Sequence, residues 1–190
     1  MRVIEIKAYT FEELSEDAQK KAYQNFLNQE REYFWMEDNL ESLRQGLKHF
    51  GFELTDWRID YYNATHAYLK IEYNNSYGYV DEEDEIQGVR LWKYLQSYLT
   101  YRCKYDKKFK PLLDGNGPFT GYCMDENFLD PIREFIKKPD NRTFKELMKD
   151  CAHEVMKGIE QDYEYQNSFE FFKSEAEGNE LEFTEDGEQI

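Results

Sequence analysis

"TFKELMKDCAHEVMKGIEQDY", residues 143–163, decides the fold class. Phe144, Leu147, Met148, Cys151, Val155, Ile159 and Tyr163 recur at the three- and four-residue spacing that lines one side of an α-helix. Thr143 and Glu146 form a T-x-x-E capping box at its start, in which each side chain satisfies the other residue's exposed backbone N–H. The stripe predicts a core face containing Leu147, Cys151, Val155 and Ile159, with Lys149, His153, Lys157 and an exposed Glu160 opposite. The helix is expected to continue to about Ala176, ahead of Gly178. Residues 179–190 form an acidic tail that reads as a terminal strand, a D-G hairpin or a frayed end.

Working back towards the start, "DENFLDPIREFIKK" (125–138) predicts a short helix, with Pro131 tolerable only in its first turn. "YDKKFKPLLDGNGPFTGYC" (105–123) is rich in Gly and Pro and reads as a structured loop. Residues 84–102 read as a helix with a broad apolar face, which Gly88 weakens. "FELTDWRIDYY" and "THAYLKIEY" predict an antiparallel hairpin with Ala67, Leu69, Ile71 and Tyr73 on one side and His66, Tyr68, Lys70 and Glu72 on the other. Met36, Leu40, Leu43, Leu47 and Phe50 predict a second strong helix, closed by Gly51 at the position after its C-cap. Before it, Leu14, Ala18, Ala22 and Phe26 share a helical face. Two start signals precede that face, a Thr10–Glu13 capping box and a Ser15 cap. The opening "RVIEIKAY" (2–9) is strand-like. The expected fold is a single, mainly helical α+β domain over residues 1–178, whose small antiparallel sheet combines the N-terminal strand with a hairpin around 53–73.

Charge restricts the function. The 190 residues carry 24 Lys plus Arg against 40 Asp plus Glu, a formal net charge of -16. A surface of that sign repels nucleic acid and anionic lipid, which disfavours direct binding to either. Aromatic residues make up 17% of the chain, enough buried area to argue for a folded rather than a disordered acidic protein. Cys103, Cys123 and Cys151 are odd in number and irregularly spaced, so they fit buried apolar positions in a reducing cytosol better than disulfides or a zinc site. The first residues lack a signal peptide's basic and apolar regions, and no apolar run approaches membrane-spanning length.

Two stretches resemble a known group. "YTFEELSEDAQKKA" (9–22) and "GPFTGYCMDENFLDPIREF" (117–135), about a sixth of the chain, resemble segments of small phage and prophage proteins of unassigned function, in the same order. That resemblance implies a phage protein acting in the host cell cytoplasm and is silent about activity. The group commonly has a Cys just before the Pro-hydrophobic-Thr-Gly core, where this chain has Gly117. This lowers any expectation of a Cys-based metal or redox site in the loop.

The motifs of catalysis are missing. His49, His66 and His153 form neither H-x-x-x-H nor H-E-x-x-H, and no G-x-S-x-G, phosphate loop or dinucleotide fingerprint occurs. "DGNGPFTG" (114–121) has glycines but lacks the Lys-Ser/Thr that would hold phosphate and magnesium. The reading is therefore a non-enzyme with no cofactor and no metal, with a carboxylate-only magnesium site left open by the 40 acids.

The remaining signal is where the acids fall. "DEEDE" places Asp81, Glu82, Glu83, Asp84 and Glu85 together before an apolar segment. From Glu154 onward, twelve acids face two lysines, a net -10, interleaved with Tyr163, Tyr165, Phe169, Phe171, Phe172 and Phe183. Carboxylates beside aromatic rings suit an interface with a basic partner. The expected contact residues are Asp81 to Glu85 with Glu160, Asp162, Glu164, Glu170, Glu175 and Glu177.

A continuous helix over 154–177 would carry a net -5 along about 36 Å, where B-DNA carries roughly 21 charges. DNA mimicry would need the 81–85 cluster, the tail or a homodimer to add charge, so a general acidic patch asks less of the geometry. The expected function is a phage-encoded inhibitor that occupies the basic DNA or RNA channel of a host defence nuclease or CRISPR effector, of the anti-CRISPR or anti-restriction kind. The competing readings are an antitoxin-like or adaptor module, an acidic structural or regulatory phage protein whose charge merely keeps it solvated, and an enzyme without recognisable motifs. The inhibitor alone predicts something specific about the charge.

Overall fold

In the computed structural model the described residues are 6–29, 34–58, 68–74, 85–106, 119–120 and 123–190, with backbone alone at Phe34 and 98–106. The helix that anchors the fold, α5, spans Phe144–Gln166. Its capping box is formed: the Thr143 N–H donates to Glu146 Oε2 at 2.8 Å, and the Glu146 N–H donates to Thr143 Oγ1 at 3.2 Å. Leu147, Cys151, Val155 and Ile159 are fully buried, as the spacing requires. Glu160 departs from expectation by being half-buried, because it lies next to Ile159 at the margin of the apolar face.

The other elements, in chain order, are β1 (Tyr9–Thr10), a 3-10 turn (Phe11–Glu13), α1 (Glu16–Leu27), α2 (Phe34–His49), β2 (Phe52–Arg58) and β3 (Tyr68–Tyr73). After these come α3 (Gly88–Asp106), α4 (Asp125–Lys137), then α5, α6 (Phe169–Gly178) and β4 (Glu182–Phe183). The chain is thus a mainly helical α+β domain with small antiparallel sheets of two strands each. Its contacts gather into two compact units, residues 33–160 and residues 1–32 with 161–190.

In the unit of residues 33–160, α2 buries Met36, Leu40, Leu43 and Leu47. Phe50 follows them into the core, and the chain turns at Gly51 with φ 80°. A methyl at Gly46 would lie 2.8 Å from the Phe128 ring, so that glycine lets the ring of α4 sit directly on α2. β2 and β3 pair antiparallel, with Leu54 opposite Ile71 and Asp56 opposite Lys70. Thr55 is the extra residue between those pairs, and its hydroxyl donates to the Lys70 carbonyl at 3.3 Å. That bulge resets the period-two alternation. Phe52 and Leu54 before it and Trp57 after it therefore all pack against the core. Leu69, Ile71 and Tyr73 face the same core, while Tyr68 is exposed. The hairpin turn and the side assignments of Ala67 and His66 lie outside the described residues.

Two helix starts differ from the sequence reading. α3 begins at Gly88 rather than at residue 84, because Gly88 takes φ +57° and Gln87 bridges Thr143. Gly88 thus starts the helix instead of weakening its interior. α4 begins at Asp125, which puts Pro131 seventh in the helix and buried, beyond the first turn. The missing N–H removes the usual intrahelical donor to the Asn127 carbonyl. Burial of Phe128, Leu129, Ile132 and Phe135 around it offsets that loss.

In the other unit both predicted start signals operate. Glu13 Oε2 accepts from the Thr10 N–H at 2.9 Å and closes the 3-10 turn, while Ser15 Oγ accepts from the Ala18 N–H at 3.3 Å and starts α1. Leu14, Ala18 and Ala22 are buried against Phe11, Phe172, Ala176 and Phe183. β1 pairs with β4, Tyr9 opposite Phe183 and Thr10 opposite Glu182. Of the strand expected over 2–9, residues 2–5 lie outside the described residues, 6–8 are not in a strand, and only Tyr9 falls in β1, whose sheet is with the C-terminal tail and not with the hairpin. The tail is a terminal strand that turns back at Asp186–Gly187: Thr184 N–H donates to the Glu188 carbonyl at 2.8 Å, and Phe183 bridges Gln189. Gly187 has φ +83°, and a side-chain carbon there would fall 2.2 Å from the Ala18 carbonyl oxygen.

Candidate functional site

Most of the negative charge belongs to the second unit. Residues 1–32 and 161–190 contain 17 acids and 6 bases, a net -11, whereas the 23 acids and 18 bases of residues 33–160 sum to -5. Of the expected contact residues, Asp162, Glu164, Glu170, Glu175 and Glu177 all belong to that acidic unit and all are exposed. Glu85 and Glu160 belong to the other; Glu85 is exposed just ahead of α3. Asp81, Glu82, Glu83 and Asp84 lie outside the described residues.

Local structure sets how these carboxylates point. The helix expected to run unbroken to Ala176 stops at Gln166. Asn167 closes its end, its N–H and its side-chain amide both donating to the Tyr163 carbonyl, at 3.1 and 2.7 Å. Ser168 then caps α6, Oγ accepting from the Phe171 N–H at 3.1 Å. Asn and Ser side chains compete well for backbone groups, which is why the pair ends one helix and starts the next. The break removes the 36 Å rod. α6 is about 15 Å long and carries a net -2, where B-DNA would place roughly 9 charges. Glu170 and Glu177 lie two turns apart on one side of α6, and Glu175 is about 140° round from Glu170. The surface is a bent acidic patch, not a duplex-like ladder.

Several of the charges sit where they oppose the helices. Glu164 ends α5, Glu175 and Glu177 end α6, and neither last turn contains a basic residue. Carboxylates there face the negative end of the helix dipole, at a cost of about 0.3–1 kcal/mol each. Two lysines of this unit offset part of the charge. Lys21 binds Asp186 at 2.7 Å and Glu188 at 3.2 Å, which raises its pKa and lowers that of Asp186. Lys173 reaches Glu177 at 3.4 Å and Glu12 at 3.9 Å. Glu164, Glu170, Glu180, Glu182 and Glu185 make no ion pair among the described residues.

The aromatic residues read as interface positions divide. Phe172 and Phe183 are core, 3% and 2% exposed, with the Phe11 ring 5.2 Å from Phe172 and 5.9 Å from Phe183. Tyr163 and Phe171 are half-buried. Tyr165 and Phe169 stay open, at 54% and 40%.

A buried polar cluster escaped the sequence reading. The Asp125 carboxylate is 8% exposed and accepts from the Phe119 N–H at 2.7 Å, the Thr120 N–H at 3.0 Å and the Thr120 hydroxyl. The buried Ser42 hydroxyl accepts from the Met124 N–H at 3.1 Å, and Cys123 Sγ lies 2.6 Å from Asn39 Oδ1 as donor. Cys123 is exposed, contrary to the expectation of burial, while Cys151 is buried and its thiol pKa is pushed well up by desolvation. The side chain of Cys103 lies outside the described residues. The signal that could have found this cluster is the Asp at the head of "DENFLDPI", a short acceptor placed to bind the backbone of the preceding loop.

A cleft of about 440 Å³ lies between α4 and α5, lined by charges of both signs including Glu134, Asp150, His153 and Lys157. Arg142 is held there by Asp150 at 2.7 Å and by Asp140 at 2.9 Å, which keeps the Asp140 pKa below its ordinary value. Among the described residues no three His, Cys, Asp or Glu side chains are grouped to hold a metal ion, and no helix is long and apolar enough to cross a membrane. The chain matches no family model, no curated protein and no solved structure.

Proposed function

We propose that this chain is an acidic inhibitor that occupies the basic nucleic-acid channel of a host defence enzyme, a restriction nuclease or CRISPR effector, as a phage protein acting in the host cytoplasm. The observation that carries the reading is the placement of charge: a net -11 on 62 residues, with carboxylates at helix ends where they oppose the dipole. Carboxylates that serve only solubility are as useful at helix starts, where they also stabilise the fold. Keeping them at the costly end supports a role in binding.

The test is DNA cleavage by purified restriction and CRISPR nucleases with increasing amounts of the chain. Inhibition should be relieved by added DNA, weaken steeply with salt, and be reduced at least tenfold in Glu164→Gln/Glu170→Gln/Glu175→Gln/Glu177→Gln, about 1.4 kcal/mol over four rim charges. Inhibition of equal strength in the variant would overturn the acidic-patch reading. Absence of inhibition across the panel would overturn the inhibitor.

A further inference from the structure

The two exposed rings of the acidic unit flank the bend between α5 and α6. Tyr165 is in the last turn of α5, and Phe169 is the first residue of α6. They are the two ends of a continuous chain of rings. Tyr165 meets Phe171 edge-on at 5.5 Å, Phe171 meets Phe26 at 6.5 Å, Phe26 stacks on Tyr23 at 6.5 Å, and Tyr23 meets Phe169 edge-on at 5.3 Å. The bend is fixed from beneath: the Tyr23 hydroxyl donates to the Asn167 carbonyl at 2.5 Å, and the Ser168 N–H donates to the Tyr165 carbonyl at 2.9 Å. Each open ring also has an exposed acid as its sequence neighbour, Glu164 beside Tyr165 and Glu170 beside Phe169, neither in an ion pair among the described residues.

An open ring held in place with an uncompensated carboxylate one residue away, about 100° round the helix, suits one long, planar cation in particular. Guanidinium is planar and weakly hydrated, so it stacks on a ring while its edge donates two hydrogen bonds to a carboxylate. Ammonium is compact and strongly hydrated and satisfies the carboxylate without needing the ring. We propose that this bend docks an arginine-bearing segment of the partner, its guanidinium groups lying on Tyr165 and Phe169 and pairing with Glu164 and Glu170. The proposal rests on the acidic-inhibitor reading and specifies the chemistry of its partner.

The test uses the full chain with octa-arginine and octa-lysine peptides of equal charge, titrated calorimetrically at low ionic strength. Octa-arginine should bind roughly fivefold to tenfold tighter, the worth of two exposed cation–ring contacts. Tyr165→Leu/Phe169→Leu should bring the two peptides to within about twofold while leaving octa-lysine affinity nearly unchanged. Because Phe169 also packs on Tyr23 and Phe11, Tyr165→Leu alone is measured beside it and should halve the preference or better. Glu164→Gln/Glu170→Gln should weaken both peptides. Equal affinity for the two peptides in the unaltered chain, or a preference that survives loss of both rings, overturns the arginine inference and leaves the acidic patch standing. Failure of either peptide to bind overturns both.

Discussion

Replacing Glu164 and Glu175 by glutamine should make the protein more stable and a poorer inhibitor at once. Both side chains are exposed in the last turn of a helix, α5 and α6, and neither makes an ion pair among the described residues. Glutamine matches glutamate closely in helix propensity, so the substitution isolates the charge. At position 175 it also keeps an oxygen to accept from Asn179 Nδ2, which lies 3.1 Å from Glu175 Oε2. Relieving two unfavourable dipole contacts contributes about 0.6–2 kcal/mol at low ionic strength, or roughly 1–8 °C in Tm for a chain of this size. The assay is thermal unfolding followed by circular dichroism at low salt and near 1 M salt, where a screening length of about 3 Å removes most of the gain. A double variant that melts at or below the parent at low salt refutes the dipole argument. A gain that persists undiminished at high salt shows that its origin is not electrostatic. A variant that is more stable yet inhibits as strongly as the parent would show that these charges serve no partner.

Other perturbations test the frame that holds the patch. Gly187→Ala should cost about 2–4 kcal/mol in denaturant unfolding, since positive φ and overlap with the Ala18 carbonyl act together. Phe183→Ala empties a core site beside Phe11 and Phe172 and should cost about 3–5 kcal/mol by the same measurement. Thr143→Ala removes half of the capping box of α5 and should cost about 1 kcal/mol. Asp140 and Glu146 have lowered pKa values, the first from Arg142 and the second from the Thr143 backbone N–H. Their contribution is present above the ordinary carboxylate range and lost as pH falls below about 4. Melting temperature should therefore drop on that acid limb, and Glu146→Gln should make the drop shallower.

How much of this was legible in the sequence depended on whether the signal was periodic. The stripes of α2 and α5 and the alternation of β3 repeat often enough that their buried faces follow directly from spacing. The break at Asn167–Ser168 was hidden because the apolar positions around it, Tyr165, Phe169, Phe172 and Ala176, keep a four-three-four helical spacing across it. Only the Asn-Ser pair itself marks it, a two-residue cue inside a long periodic run. The pairing of β1 with β4 joins two residues at one end of the chain to two at the other, too short for any alternation to register. Composition could not separate core rings from open ones either. Phe172 and Phe169 lie three residues apart on α6, and one is 3% exposed and the other 40%. The role of Asp125 rests on backbone N–H groups in a loop, which leave no mark in the side-chain pattern.

The acidic unit carries its charge against the physics of its own size. Its 62 residues come from the two ends of the chain and share a small core of Phe11, Leu14, Ala18, Ala22, Phe172, Ala176 and Phe183, which leaves little apolar burial to offset repulsion. A net -11 adds self-repulsion. Two features offset this: the edge-to-face packing of Phe11, Phe172 and Phe183, and the tail, which Lys21 binds to α1 through Asp186 and Glu188. Both are consistent with a fold built to hold the charge rather than one that acquired charge incidentally, because the simplest route to the same stability is to lose the acids at the helix ends. Added salt separates these two accounts. If the aromatic core and tail clamp are offsetting repulsion, melting temperature should rise steadily with sodium chloride in the parent and less so in Glu164→Gln/Glu175→Gln. A parent indifferent to salt would mean that the repulsion is already neutralised within the fold, and the charge would then have no energetic cost that a partner is needed to explain.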